Sequence, residues 1–566
     1  MQVTTRWDHE TDVLVVGSGG GAMVAAVVAA DAGGQVVIVE KSDLFGGTSA
    51  TSGGGIWIPC NHHQAAAGMQ DDPEDAFRYV KELVGDAVSD DKIRSYLTNA
   101  PKMLAYMEEH SEMKFRSVGY ADYHPELAGS RLGHRTLEPM PYDANKLGDM
   151  VGQLRPPHIG TRPIGNINWT MDESRGLVTR RPGWFKIIMT IVLRYYFDIG
   201  QRMKTSMDRR LTLGNAMIAR LRVSLKKRDV PLWLDTKLLD LVSENGRIAG
   251  ALVERNGQRI AIKARRGVIL GAGGFERSPT LRQANLSNPT DPAWSGSQPN
   301  NTGDAITAGI AVGAKTDLMD AAWWAPVIKL DSEDRARPLF YERALPGAII
   351  VNQAGQRYMN EAASYHITGR AMQDANRPDA ATVPSFILFD ANFRTKYPMG
   401  PLLPGSPKGD AKLKPGVRAA LFKAESWAEL AGKIGVPAAS LEATIQRFNT
   451  MAKAGKDEDF RRGENAYDQY YGDPRVTPNG NLAPLDKAPF YAFRIYPGDI
   501  GTKGGLKTDI NGQVVDAEEK PIAGLYAIGN SSASVLGRSY PGAGGTIGPA
   551  MCFGYLAARH AMGKNA

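Results

Sequence analysis

Cysteine is almost absent from this chain, and histidine is sparse. The 566 residues include two cysteines, Cys60 and Cys552, and nine scattered histidines. Two cysteines cannot build a disulfide framework or a four-cysteine zinc site. The sequence also has no Cys-x-x-Cys and no His-x-x-x-His pair. We therefore expect no metal centre.

Long apolar runs are missing as well. No stretch reaches the roughly 18 apolar residues of a membrane-spanning helix, and residues 1–11 are polar, unlike a secretory signal. A cytoplasmic protein is the expectation. Hydrophobic residues at 43% and charged residues at 22% are ordinary globular composition, which excludes a disordered or fibrous chain.

Positive charge is concentrated in one segment. The net charge is +7, yet residues 175–228 carry fourteen Lys and Arg against two acids, Asp198 and Asp208. The rest of the chain is therefore slightly acidic. A basic segment without a recognisable nucleic-acid module argues against nucleic acid as a partner.

Glycine is abundant, with 62 residues that fall in clusters. The first cluster follows an apolar run over 12–16 and precedes a small-residue helical stretch. The spacing Gly17-x-Gly19-x-x-Ala22, with Glu40 at the end of the next apolar run, matches the dinucleotide-binding fingerprint. We expect backbone N–H groups at the helix N-terminus to hold a pyrophosphate, and Glu40 to bond an adenosine ribose.

A second Gly/Ser/Thr-rich stretch covers residues 46–55. A plain NAD enzyme does not require it, whereas in a flavoprotein it can run along the ribityl chain and the ring edge.

Three alternating segments between 238 and 263 are joined by Asn-Gly pairs at 245–246 and 256–257, which are strong hairpin turns. They lead into a further glycine turn at 271–274. This meander fits an FAD-binding variant of the Rossmann fold.

The predicted fold class is α/β, with a Rossmann-like FAD-binding domain that is split in sequence. The pattern changes to mixed helices and loops near 286, returns to strands near 489, and ends in a small-residue helix over about 546–562. We predict an FAD-binding domain over 1–285 and 489–566, with an inserted α+β substrate and catalytic domain over 286–488.

These motifs resemble the flavoprotein family of fumarate reductases and 3-ketosteroid dehydrogenases over nearly the whole chain. The shared stretches are the fingerprint, GGTSATSGGG, GAGGFE, NTGDA, GTKGGLKTD and GLYAIGN. Within the family, the sequence is most similar to 3-ketosteroid Δ1-dehydrogenases. Three motifs carry this similarity: YADY at 120–123, RYMNE at 357–361 followed by Tyr365, and SYPGAG at 539–544.

The resemblance implies FAD as the cofactor. Noncovalent binding is expected because the flavin-facing stretch 46–55 contains no histidine. The residues assigned to the cofactor are Gly17, Gly19, Gly20, Gly21, Ala22, Glu40, Lys41, Gly47, Thr48, Ser49, Ser52, Gly53, Gly54, Gly273, Gly274, Asn301, Asp304, Gly529, Asn530, Ser534 and Leu536.

The implied reaction is 1,2-desaturation of a 3-oxo-Δ4-steroid in steroid or sterol degradation. The C2 proton is acidic because it adjoins the ketone, whereas the C1 hydrogen must leave as hydride, for which flavin N5 is a suitable acceptor. The resemblance places Tyr540 and the Gly544 N–H on the C3 oxygen, Tyr365 as the base and Tyr123 beside it. A free tyrosine titrates near pH 10, so the pKa of Tyr365 must be lowered or its proton passed on. Tyr120 is an alternative to Tyr123.

An insertion relative to short family members is implied at about 134–212. Within it, segment 184–204 would place Lys186, Arg194 and Arg202 on one helical face, with apolar and aromatic residues between them. Two interpretations stand open. One is an interfacial helix on an anionic membrane, and the other is a helix packed against its own domain or a subunit partner.

Stretch 499–505 lacks the histidine with which the dicarboxylate branch would bind a carboxylate, which argues against fumarate. The competing functions are another flavin oxidoreductase of this fold, such as a steroid Δ4-dehydrogenase or a fumarate-reductase-like enzyme, and a membrane-surface flavin electron carrier. The expected partners are a 3-ketosteroid and, as electron acceptor, a quinone or a carrier.

Overall fold

Residues 6–162 and 164–564 are described by the computed structural model of the chain. The strands are β1 His9–Val16, β2 Val36–Val39, β3 Ile56–Trp57, β4 Phe115–Ser117, β5 Thr136–Pro139, β6 Tyr142–Asp143, β7 Arg210–Leu211, β8 Leu232–Trp233, β9 Thr236–Glu244, β10 Arg247–Arg255, β11 Gln258–Leu270, β12 Thr316–Asp317, β13 Ala322–Ile328, β14 Arg337–Pro338, β15 Ala348–Val351, β16 Ser385–Phe389, β17 Leu421–Ala424, β18 Phe490–Thr502, β19 Gly505–Leu506, β20 Gln513–Val515 and β21 Pro521–Ala527. The helices are α1 Gly20–Asp31, α2 Gly47–Thr51, α3 His62–Ala66, α4 Pro73–Val84, α5 Asp90–His110, α6 Met171–Val178, α7 Trp184–Phe197, α8 Ile199–Arg202, α9 Leu213–Lys226, α10 Pro279–Asn285, α11 Asp304–Ala311, α12 Tyr365–Asp374, α13 Ala391–Lys396, α14 Pro415–Ala420, α15 Trp427–Ile434, α16 Ala438–Ala454, α17 Ala466–Tyr470 and α18 Ile547–Ala561.

The largest sheet is mainly parallel and has the order β20-β21-β11-β1-β2-β8, with β10 paired to β11 and β9 paired to β10. The residues of β1 from Val13 to Val16 are almost fully buried, as expected for a strand covered on both faces. Helices α1 and α18 pack together on this sheet. Gly17 N–H donates to the Val39 carbonyl (2.8 Å), and Gly271 N–H donates to the Val16 carbonyl (2.8 Å). The carboxyl ends of β1, β2 and β11 therefore meet, and this edge is where such folds bind ligands.

Both Asn-Gly hairpin turns form as predicted. Asn245, Gly246, Asn256 and Gly257 all have positive φ, which is the requirement of a type I′ turn. Strand β11 is longer than the sequence suggested. Its first half pairs antiparallel with β10, while its second half pairs parallel with β21. One continuous strand thus joins the meander to the parallel sheet.

A second sheet has the order β14-β13-β18-β16-β15, with β17 also paired to β18. Strand β18 lies at its centre, antiparallel to β13 and β16. The chain therefore stays in the second sheet until Thr502, beyond the boundary predicted at 489. The predicted domain limits place this strand with the FAD domain, whereas its hydrogen bonds place it with the inserted segment.

The region predicted as an insertion begins inside a small sheet, because β5 pairs with β3 and β4. Further along, α6 and α7 pack together around a cluster that includes Ile167, Trp169 and Ile191. None of the helices within the described ranges is both long and apolar enough to cross a bilayer.

Candidate active site

The glycine turn after β1 is sterically required. Gly17 has φ +102°, and a Cβ there would lie 2.4 Å from the Gly271 carbonyl oxygen. Gly21 allows α1 to approach α18, since a Cβ at this position would lie 2.4 Å from the Ala550 carbonyl oxygen. Helix α1 begins at Gly20 with Gly19 as its N-cap and no side-chain cap. Gly20 N–H donates to Ser49 Oγ (3.1 Å), and the N-terminal end of the helix faces the cavity, where it favours an anionic ligand.

Glu40 is held in a fixed orientation at the end of β2. Its Oε2 accepts hydrogen bonds from Ser18 Oγ (2.6 Å) and Ser18 N–H (3.1 Å), and its Oε1 accepts from Ser42 N–H (3.1 Å). The carboxylate lines the same cavity as Gly17. This is the position that the ribose-binding acid of the fingerprint requires.

Lys41 and Asp304 are far apart in sequence but form an ion pair of 2.6 Å. Lys41 Nζ also donates to Thr302 Oγ1 (2.6 Å). Gly303 occupies the N-cap position of α11, so this helix has no side-chain cap. The cluster thus ties the end of β2 to the start of α11.

One cavity, with a solvent-accessible volume of about 350 Å³, brings most of the predicted site residues together. The predicted residues that line it are Gly17, Gly19, Gly20, Gly21, Ala22, Glu40, Lys41, Gly47, Thr48, Ser49, Ser52, Gly53, Gly54, Tyr123, Gly273, Asn301, Asp304, Tyr365, Gly529, Asn530, Tyr540 and Gly544.

Three predicted residues do not line this cavity. Gly274 faces the protein interior, where a Cβ would lie 2.1 Å from Thr502 Oγ1. Ser534 lines a smaller neighbouring cavity, and Leu536 is fully buried in the core. These three residues therefore belong to the packing around the cavity and not to its lining.

The cavity fits a dinucleotide with a ring system at one end. The Gly17–Ala22 turn and Glu40 suit a pyrophosphate and a ribose. Asn301 Nδ2 donates to Thr48 Oγ1 (3.1 Å), so α2 and the loop before α11 form a continuous polar wall. The tyrosines close the other end.

The tyrosines predicted to be catalytic meet around one point. Ring centroids lie 5.0 Å apart for Tyr123 and Tyr540, 5.5 Å for Tyr123 and Tyr365, and 5.7 Å for Tyr365 and Tyr540, each pair edge-to-face. All three side chains are buried. Tyr365 stands at the N-terminus of α12, where Ser364 caps the helix.

Gly544 adjoins this cluster and has φ +100°. A Cβ there would lie 2.5 Å from the backbone of Ile56, so the glycine is required by the approach of β3. Burial raises the pKa of Tyr540, while its contacts with Tyr365, with Thr546 and with the Gly544 N–H act in the opposite direction. The Tyr540 phenol and the Gly544 N–H are therefore neighbours in the wall of the cavity.

Burial raises the pKa of Tyr365 well above its ordinary value, and the neighbouring Tyr540 raises it further. The contact with Tyr123 lowers this pKa, but not enough to offset burial. The sequence left two possibilities for Tyr365, a lowered pKa or a proton that is passed on. The raised pKa argues against a phenolate in the resting protein. A base at this position has to pass its proton on as it acts.

The loop that carries Tyr123 is fixed by buried polar contacts. Asp122 accepts from Trp57 Nε1 (2.8 Å) and forms an ion pair with Arg135 (2.8 Å). Tyr123 N–H donates to the Pro541 carbonyl (2.8 Å). The 120–123 loop and the 540–544 loop are thereby held together.

Sequence reasoning missed a second group of aromatic residues. Tyr120 bonds Tyr471 through the two hydroxyl groups (2.5 Å) and lies 4.7 Å from the Tyr470 ring. Tyr467 lies 5.1 Å from Tyr123. Three tyrosines between 467 and 471 were the available signal. Because Tyr120 is engaged by Tyr471 and Tyr123 faces both Tyr365 and Tyr540, the geometry favours Tyr123 over Tyr120.

Comparison with known proteins agrees with this geometry. A family model described as an FAD binding domain matches residues 12–547. The 3-oxosteroid 1-dehydrogenase of Mycolicibacterium smegmatis is 42% identical over 563 residues, covering 97% of this chain and 96% of that protein.

Solved structures give the same result. The crystal structure of a 3-ketosteroid Δ1-dehydrogenase from Sterolibacterium denitrificans, in complex with 1,4-androstadiene-3,17-dione, has a TM-score of 0.95 and 45% identity, covering 98% of this chain and 100% of that chain. A 3-ketosteroid Δ4-(5α)-dehydrogenase from Rhodococcus jostii has a TM-score of 0.65 at 21% identity, covering 99% and 98% of the two chains. The latter shows the fold alone.

A family match over nearly the whole chain identifies the cofactor as FAD and the protein as a flavin-dependent oxidoreductase. Within that class, the chain belongs to the family of 3-oxosteroid 1-dehydrogenases. The predicted α/β fold and the predicted FAD are both confirmed.

Proposed function

We propose that the protein desaturates the C1–C2 bond of 3-oxo-Δ4-steroids to 1,4-dienes, with three tyrosines and one glycine amide as its catalytic groups. One observation carries this proposal. Tyr123, Tyr365, Tyr540 and Gly544 line the same cavity as the dinucleotide-binding glycines.

Tyr540 and the Gly544 N–H are the donors to the C3 oxygen. Negative charge develops on this oxygen as C2 loses its proton, and two neutral donors stabilise it without burying a cation. Removing one such donor typically lowers a rate by about 10²–10³. The contacts between Tyr540 and the Gly544 amide support this role.

Tyr365 takes the C2 proton while its own phenolic proton passes to the neighbouring Tyr123 hydroxyl, which in turn releases a proton towards solvent. Since burial keeps the pKa of Tyr365 high, proton removal is coupled to charge stabilisation at the C3 oxygen. FAD, bound along the glycine turn, supplies the two-electron acceptor for the hydrogen that leaves C1. The remaining tyrosines, Tyr120 and Tyr467, surround Tyr123.

The competing functions are less well supported. Stretch 499–505 contains no histidine, and the groups that meet around Tyr540 are neutral phenols and a backbone amide, which suit a ketone oxygen better than a carboxylate. A pure electron carrier has no need for phenols around a ligand cavity. The Δ4-dehydrogenase alternative is supported by shared fold alone.

We further propose that α7 contacts an anionic membrane, from which the steroid substrate and a quinone acceptor are drawn. Phe185, Tyr196 and Phe197 are 63%, 64% and 73% exposed, and α7 packs on α6. Helix α6 in turn lines the cavity with Met171 and Ser174. An apolar outer face beside the wall of a steroid cavity fits lipid as the occupant.

The function is tested by adding androst-4-ene-3,17-dione and an artificial electron acceptor to the FAD-loaded protein. We expect 1,4-diene absorbance to appear, and no oxidation of reduced viologen with fumarate. Fumarate reduction, or flavin reduction without a diene product, would contradict the proposal.

A further inference from the structure

Three potential metal ligands converge at the surface between α3 and α5, outside the catalytic cavity. His62 Nε2 lies 2.8 Å and His63 Nε2 lies 3.0 Å from the same oxygen, Glu108 Oε2. One ligand atom from each of the three residues lies within 4.8 Å of those from the other two.

Both sides of this cluster are held in place. Helix α3 starts with a capping box formed by Asn61 and Gln64, and Asn61 Nδ2 also donates to the carbonyls of Ile58 (2.7 Å) and His134 (2.9 Å). Glu108 Oε1 accepts from the Phe115 N–H (2.7 Å). That bond leaves Oε2 directed at the two imidazoles, so little ordering is needed before an ion binds.

We propose that His62, His63 and Glu108 bind a divalent transition metal ion of the zinc, cobalt or copper type. Two imidazoles and one carboxylate are a known protein donor set for zinc. Tetrahedral bonds of 2.0–2.1 Å place ligand atoms about 3.3–3.4 Å apart. The observed separations from Oε2 therefore need to widen by only a few tenths of an ångström. The His62 side chain is 49% exposed, which leaves further positions to water.

The metal would link α3, which follows β3 in the chain, to α5. Strand β3 packs against Gly544, so its position matters for the catalytic site. The sequence alone led to the expectation of no metal centre, because Glu108 is 45 residues from His63. An ion at this cluster adds stability without taking part in the reaction.

The test is a titration of the FAD-loaded, chelator-treated protein with Zn²⁺ by calorimetry, and with Co²⁺ by visible absorption. We expect one ion per chain, and at least about tenfold weaker binding for both His63→Ala and Glu108→Gln. His110→Ala is the matched control, because this histidine lies on α5 next to Glu109 and outside the cluster. Retained flavin absorbance shows that each variant is folded. No binding by the parent protein, or equal binding by the parent and both variants, would overturn the proposal.

A second, independent observation is a fully buried lysine, Lys503. Its Nζ donates to the carbonyls of Ser539 and Gly537 (3.4 Å) and lies 4.0 Å above the Trp323 ring. The Trp323 ring contacts Tyr540 edge-to-face at 4.7 Å. No carboxylate pairs with Lys503 among the described residues. A buried, unpaired lysine is unfavourable unless it has a specific role.

The geometry assigns Lys503 as a positioning residue for Tyr540, an assignment that rests on the proposed function. Its two carbonyl contacts fix the backbone on the N-terminal side of Tyr540, and its contact with Trp323 fixes the ring on which Tyr540 packs. Both restraints aim the phenol into the cavity. The role needs donor hydrogens and packing, and does not depend on the charge of the amine.

The test measures the rate of flavin reduction per bound FAD in a single turnover with androst-4-ene-3,17-dione. For Lys503→Met we expect at least about a tenfold lower rate with FAD content retained. The matched control is Lys92→Met, which also removes a lysine bonded to a backbone carbonyl, that of Thr508 (2.7 Å), and whose rate per FAD should match the parent. A purely structural role would lower the FAD content and leave the rate per FAD unchanged, and that result would overturn the assignment. An inactive parent protein would instead overturn the proposed function.

Discussion

At the scale of single residues, burial decides what the tyrosines can do. Tyr123, Tyr365 and Tyr540 are each enclosed by other rings, and burial raises the pKa of all three phenols. They remain neutral hydrogen-bond donors in the ligand-free protein. Negative charge then develops only during the reaction, on the ketone oxygen that accepts these hydrogen bonds. Neutral donors suit such an oxyanion site better than a phenolate that is already ionised.

Tyr365→Phe should abolish turnover, because the variant keeps the ring and loses the group that takes the C2 proton. We expect a loss of at least about 10² in kcat, in the range of general-base contributions, with the FAD spectrum unchanged. Tyr358→Phe is the matched control. Its hydroxyl contacts Ser385 (2.7 Å) in the inserted segment, away from the cavity, and its removal should leave kcat unchanged. Activity of Tyr365→Phe within a few-fold of the parent would rule out this base.

His158 should make stability sensitive to acid. Burial, with Arg335 nearby, lowers the pKa of His158 to about 3. Its Nδ1 accepts from the Gly160 N–H (2.9 Å), and its Nε2 lies 3.0 Å from the Ala336 carbonyl, so the neutral ring fits both contacts. The unfolded chain takes up a proton near the ordinary histidine value of about 6.5. The stabilisation is therefore complete above pH 6.5 and is lost as the pH falls towards 3.

The measurement is the free energy of unfolding of the FAD-loaded protein in urea between pH 7 and pH 4, for the parent and for His158→Gln. We expect the parent to lose stability more steeply than the variant as the pH falls. Parallel curves would show that His158 does not carry this part of the acid sensitivity.

At the scale of elements, local signals were enough to predict the dinucleotide-binding turn and the hairpins. Gly17 and the two Asn-Gly pairs are fixed by backbone conformation, which is encoded within a few residues. The pattern of β18 did not reveal which sheet it joins, because alternation fixes the buried face of a strand and not its neighbour. Tyr471 reaches Tyr120 across 351 positions, a contact that no local pattern encodes.

The helix predicted over 184–204 is divided at Asp198 into α7 and α8. Three aromatic residues of α7 face outward, whereas Arg194 of α7 and Arg202 of α8 are partly withdrawn from solvent. Arg202 donates to the Ser206 carbonyl (2.7 Å) and stacks on Tyr195 (3.9 Å), and Arg194 is half-buried. Charge reversal at these positions would disturb the fold. Exposed aromatic residues are therefore the better probes of membrane contact.

The variant Phe185→Ser/Phe197→Ser should sediment less with liposomes that contain anionic lipid, since each exposed ring loses its apolar contact area. Leu403→Ser is the matched control, because Leu403 is an exposed apolar residue of the inserted segment. Diene formation from a water-soluble steroid should stay near the parent level. Equal sedimentation of the parent and the double variant would favour a protein partner over a membrane.

At the scale of the whole molecule, the cavity lies where the FAD-binding sheet and the second sheet approach each other. Tyr365 comes from the inserted segment, Tyr123 from the N-terminal half and Tyr540 from the C-terminal end. None of these parts contains the site by itself. Catalysis therefore depends on contacts that hold the parts in register.

One such contact is a fully buried ion pair of 2.5 Å between Arg282 on α10 and Asp499 on β18. Asp499 also accepts from Ser295 Oγ (2.7 Å), and Arg282 also donates to the Glu276 carbonyl (3.1 Å).

Asp499→Asn leaves the guanidinium buried without a counter-charge, which typically lowers stability by about 3–5 kcal/mol. The exposed pair Arg538–Asp320 (2.7 Å) is the matched control, because Asp320→Asn should lower stability by at most about 1 kcal/mol. Urea unfolding at saturating FAD, which fixes the ligand contribution, measures both changes. Equal stability of the two variants would mean that the sheets are held in register by apolar packing instead, since the Arg282–Asp499 pair would then behave as an exposed one.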